Sequence, residues 1–93
     1  MRLSLDMSLS RNEFLRLLPG AVGGAAIEEM DGVLRGSDDQ GRWTIRFQSL
    51  EDLCLGRVVL PRHRIDLCLE GYSDEAERAF LVRFHRGFQR GGG

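Results

Sequence analysis

The sequence has no lysine; all 13 of its basic residues are arginine. Two explanations stand side by side. One is a GC-rich coding sequence, which favours arginine codons. The other is selection for the planar, forked guanidinium, which grips phosphate or carboxylate through two hydrogen bonds at once. Long apolar runs are also missing. The longest helical stretch without a polar side chain is Ala79-Phe80-Leu81-Val82, far short of the about 20 residues a membrane-spanning helix needs. The first residues, Met1-Arg2-Leu3-Ser4-Leu5-Asp6, alternate in polarity. They lack the continuous apolar core of a secretory signal. Cysteine is sparse, and Cys54 and Cys68 form no CxxC pair. That argues against a disulfide framework and for free thiols in a reducing compartment. Neither sign of charge is in excess. A net charge of −1 leaves no global field to gather nucleic acid or an anionic membrane. Together these absences point to a cytoplasmic protein without membrane contact.

What is present suits a globular chain. Hydrophobic residues make up 42% and charged residues 29% of 93 positions, which is material for one domain with one core. A single domain is expected over residues 1–88, with residues 89–93 as a flexible tail. Leu3, Leu5, Met7 and Leu9 alternate with polar residues, the mark of a half-buried strand. Ser10-Arg11-Asn12-Glu13 follows as a capping box. A short helix then carries Phe14, Leu15, Leu17 and Leu18, and Pro19-Gly20 is expected to stop it. Residues 20–26 read as a glycine-rich connection. A second strand is expected from Ile27 to Arg35, bent near Gly32. The turn formers Gly36-Ser37-Asp38-Asp39-Gln40-Gly41 link it, as a hairpin, to a strand bearing Trp43, Ile45 and Phe47.

Leu50 to Leu55 is ambiguous between loop and strand, and Arg57 to Leu60 reads as extended. Pro61 cannot donate to a ladder, so it marks a bulge or an edge. His63, Ile65, Leu67 and Leu69 then alternate with Arg64, Asp66, Cys68 and Glu70, a further strand. Ser73 caps a last helix with acids in its first turn and bases in its last, ending near Gly87. Its apolar arc holds Ala76, Phe80, Leu81, Phe84 and Phe88, with Val82 stranded on the polar side. The expected fold is α+β: a small antiparallel sheet of four to five strands with two helices packed on one face. The order is β-α-β-β-(β)-β-α. Strands clustered in sequence favour that arrangement over a parallel sheet.

No constellation nominates a catalytic centre. His63 and Cys68 stand five apart on one strand, on opposite faces, so they do not ligate a metal together. The histidines read as surface or edge residues. No histidine shares a strand face with Cys68, and no GxSxG motif occurs. The glycine-rich segment follows a helix, whereas a phosphate loop follows a strand and opens a helix. No enzyme, cofactor or metal is therefore expected. The arginines are distributed unevenly: acids crowd residues 28–39, and no acid follows Glu77. Arg62, Arg64, Arg83, Arg86 and Arg90 are candidate contacts for an anion or a partner. The first expectation is a small non-enzymatic binding or adaptor domain acting through protein contacts, self-associating as a homodimer. The alternatives are nucleic-acid or anionic-ligand binding through the C-terminal arginines and, least favoured, an enzyme with an interface active site.

Overall fold

A computed structural model describes residues 1–24 and 26–89 of the chain. Its elements run β1 (Arg2–Met7), α1 (Arg11–Ala21), β2 (Glu28–Met30), β3 (Val33–Ser37), β4 (Arg42–Leu55), β5 (Val58–Glu70) and α2 (Asp74–Gly87). The five strands form one antiparallel sheet in the order β1-β5-β4-β3-β2. The chain is α+β, with the two helices covering one face of that sheet. Apart from Gln89, the tail expected over residues 89–93 lies outside the described residues.

The period-two alternation sorts the sheet into two faces. Trp43, Ile45, Ile65, Leu67 and Leu69 point to the helix side and are buried. Phe14, Leu18 and Ala21 of α1 and Phe80 and Phe84 of α2 complete the same core. Each helix starts at a serine: the Ser10 hydroxyl accepts from the Glu13 amide at 3.2 Å and the Ser73 hydroxyl from the Ala76 amide at 3.1 Å. Each bond satisfies one of the amides a helix start leaves unpaired. β1, the first strand of the chain, lies at one edge of the sheet beside the last strand, β5, and it pairs Ser4 with Asp66 and Met7 with His63.

Three sequence expectations need correction. The stretch from Ile27 to Arg35 is not one bent strand but two, β2 and β3, folded back at Met30-Asp31-Gly32-Val33. Asp31 and Gly32 both have positive φ, 53° and 77°. That is the type I′ turn that matches strand twist, and Asp-Gly is among the pairs that adopt it most readily. Second, α1 runs through Pro19 to Ala21. The proline sits in the last turn, and the stop comes from Gly23 and Gly24. The Gly24 amide bonds the Pro19 carbonyl at 2.8 Å and the Gly23 amide bonds the Gly20 carbonyl at 3.4 Å. With Gly23 at φ 74°, this is a Schellman cap, which needs a left-handed residue there. Third, His63 is a buried residue of an interior strand. Its Nδ1–H donates to the Leu9 carbonyl at 2.6 Å, and its ring stacks on Phe47 with centroids 4.3 Å apart. That bond satisfies the polar edge which would otherwise keep the ring in water.

Pro61 does sit at a bulge. Leu50 faces Arg62 and Leu53 faces Leu60, so Glu51 and Asp52 together oppose the single residue Pro61. By strand parity Pro61, like Leu69, turns its backbone away from β4, so its missing N–H costs the β4–β5 ladder nothing and falls on the free outer edge of β5.

Candidate functional site

The face of the sheet turned away from the helices is open and polar. Arg2, Ser4 and Asp6 of β1, Arg62, Arg64 and Asp66 of β5, and Thr44, Arg46 and Gln48 of β4 project from it by strand parity. Its centre is Asp66. The Ser4 hydroxyl donates to the Asp66 carboxylate at 2.6 Å, and Arg64 Nε donates to it at 3.1 Å. The serine hydrogen bond, with Arg64 and Arg46 behind it, holds the Asp66 carboxyl below its ordinary pKa, against a smaller opposing effect of desolvation.

The candidate arginines do not gather on one surface. Arg62 and Arg64 lie on the open sheet face, where Arg62 pairs with Asp6 at 3.5 Å and Arg64 with Asp66. Arg83 lies on α2, 3.9 Å from Asp38 at the β3–β4 turn. Arg86 is exposed near the C-terminal end of α2. Arg90 lies outside the described residues.

Arg83 belongs to a second cluster. Tyr72 donates its hydroxyl proton to Asp38 Oδ2 at 2.9 Å, while Asp38 Oδ1 accepts from the amides of Gln40 and Gly41 at 2.8 and 3.1 Å. Asp38 thereby organises its own turn and ties it to the start of α2. Burial pushes the Tyr72 hydroxyl pKa far up, and the hydrogen bond to anionic Asp38 pushes it further. A phenol held this firmly in its neutral form is a donor, not a base. Among the described residues, no three of His, Cys, Asp and Glu lie close enough to hold a metal ion. No protein-family model matches the chain, and no curated protein sequence matches it either.

The remaining surface feature includes Leu50 to Leu55, where the sequence is ambiguous between loop and strand. β1 accompanies β5 only from Cys68 to His63, and β3 accompanies β4 only from Arg42 to Arg46. Beyond those limits β4 and β5 have no neighbour but each other. They continue as a two-stranded arm, joined by a two-residue turn at Gly56-Arg57. Every residue from Glu51 to Val59 is exposed. Leu55, Val58 and Val59 are 58, 53 and 58% accessible, and Leu53 is 36% accessible. Leu53 pairs with Leu60 and Leu55 with Val58, so these four share one face of the arm, continuous with the open face of the sheet. Cys54 and Val59 occupy the other. The sequence signal was present in Leu53-Cys54-Leu55-Gly56-Arg57-Val58-Val59-Leu60. Two apolar runs flanking a two-residue turn that contains glycine form a hairpin pattern. Apolar residues on both parities leave such a hairpin no polar face for water.

Proposed function

We propose that this chain is a non-catalytic protein-binding module whose contact surface is the β4–β5 arm. One observation carries the reading: four of the seven large apolar side chains exposed among the described residues, Leu53, Leu55, Val58 and Val59, lie together on the arm, which contributes nothing to the core. Leu55, Val58 and Val59 are all more than half accessible. Scattered apolar residues are normal on a surface, but a contiguous set on a projecting element marks a contact site. An isolated two-stranded hairpin is also marginal by itself, and a partner laid on it would supply the missing contacts. The homodimer expected from the sequence is one form of this reading.

Binding of nucleic acid or an anionic ligand through the C-terminal arginines has less behind it. Arg62, Arg64 and Arg83 each already face a carboxylate. The reading is tested with a photo-crosslinking residue at position 55 in living cells, with position 86 on α2 as the comparison site. Discrete protein adducts are expected at 55 and not at 86. Adducts at 86 alone, or at neither, overturn it.

A further inference from the structure

Resting on the arm as the contact surface, we infer that its occupant is a second copy of this chain, seated face to face and antiparallel about a two-fold axis. The first argument concerns which parts of the arm are guarded. A lone hairpin offers two free strand edges, and proteins blunt such edges with charge, bulges and proline. On the β4 edge stand Glu51 and Asp52 in the bulge, and on the β5 edge stands Pro61. Both edges are therefore defended against strand addition. The face carrying Leu53, Leu55, Val58 and Leu60 has no such guard. Contact through the face is what the arm permits.

Charge chooses the occupant. The tip carries Arg57, and the base carries Glu51 and Asp52, beside an Arg62 already paired with Asp6. None of Arg57, Glu51 and Asp52 enters an ion pair among the described residues. At about 3.4 Å per residue, tip and base are about 20 Å apart along the strand. They cannot reach each other within one arm. Laid antiparallel on a second arm, each tip meets the other's base, and the apolar strip lies between the two. A two-fold axis makes every such contact twice, so one cation and one acidic pair per chain give two complementary ends. The overall charge of −1 adds little repulsion between copies. An unrelated apolar partner would use the strip but would not need charges of opposite sign at its two ends.

Sedimentation of the intact protein at micromolar concentrations tests this. The wild type is expected at twice the mass of the chain. L55D/V58D should be a monomer with an unchanged far-ultraviolet spectrum, since neither residue touches the core. R57E, and separately E51R/D52R, should each weaken the dimer by about tenfold or more. Combining the three in one chain should restore it, because the two-fold then again sets unlike charges together. A wild-type monomer overturns the inference, as does a dimer that L55D/V58D leaves intact or a triple variant that stays weak. Crosslinking from position 55 separates the two levels. Adducts to another protein, with a monomer in sedimentation, remove the second copy and keep the binding arm. No adducts at all remove both.

Discussion

Gly87, the last residue of α2, packs directly on Ala21, the last residue of α1. A Cβ placed on Gly87 would stand 2.5 Å from the Ala21 Cα and 2.6 Å from its Cβ. The helices touch backbone to backbone at that point, beneath the cap made by Gly23. Helix propensity alone favours alanine over glycine by up to about 1 kcal/mol. The contact reverses the sign. Gly87→Ala should lower stability by about 1–3 kcal/mol, the usual cost of overpacking. Thermal unfolding of the variant checks it, and a raised Tm would show that the helices can separate at no cost.

Phe84 is fully buried between Phe80 of the same helix and Phe88 just beyond its end, with ring centroids 6.0 and 4.9 Å away. Phe84→Ala should cost about 3–5 kcal/mol by the usual sum of transfer and cavity losses. Val82, two residues away, is 57% exposed, so Val82→Ala should stay within about 0.5 kcal/mol of the wild type. Urea unfolding of the pair separates core from surface on one helix.

Tyr72 is the only tyrosine in the chain, so phenolate absorbance reports on it alone. Its hydroxyl should stay protonated well past the ordinary tyrosine value of about 10. The folded state holds this proton more tightly than the unfolded state does. The associated stability is therefore complete below the unfolded pKa and is lost as pH climbs above it. Asp38→Asn removes the anion that accepts the proton and should bring the absorbance transition to lower pH. An unmoved transition would assign the whole effect to burial.

Asp66 behaves in the opposite sense. Its carboxyl pKa is held down, so the stability it contributes is present above the unfolded pKa and is lost as pH falls through the folded value. Ser4→Ala removes the leading cause and should raise the Asp66 titration midpoint measured by side-chain NMR. The group is exposed, so the change should appear in the titration and hardly at all in Tm.

The guarded edges of the arm can also be unguarded. Glu51→Val with Asp52→Val replaces the two charges at the bulge with strand-forming residues. Without that protection the β4 edge should recruit further chains. Concentration-dependent light scattering and thioflavin binding should rise, while the wild type stays clear. A clear solution of the double variant would mean that these two charges are not what protects the β4 edge.

Much of this architecture was legible in the chain. The alternations Trp43-Ile45-Phe47 and Ile65-Leu67-Leu69 fixed which side of each strand enters the core. Ser10 and Ser73 marked both helix starts, and Pro61 announced the bulge. The errors have physical causes. A lone glycine such as Gly32 inside an extended stretch signals a bend, yet the paired positive φ values of Asp31 and Gly32 make it a turn. Pro19-Gly20 signals a helix stop, but a proline in the last turn forfeits only one hydrogen bond. The polarity of His63 points to the surface, and no local pattern shows that the Leu9 carbonyl receives its proton.

The sequence by itself determined the helices, their N-caps and the faces of the central strands, because alternation and capping are local and act within a few residues. Only the tertiary structure decided what those elements meet. Setting β1 beside β5 brought Ser4 to Asp66 and Asp6 to Arg62 across more than fifty residues, pairings no local pattern encodes. The same packing made the arm. Residues 50–60 carry as much apolar character as a core strand. Residues 51–59 among them are exposed because β1 ends at Met7 and β3 begins at Val33, which leaves no neighbour to cover them. Whether an apolar run becomes core or contact surface depends on where other strands stop, and the run itself does not contain that information.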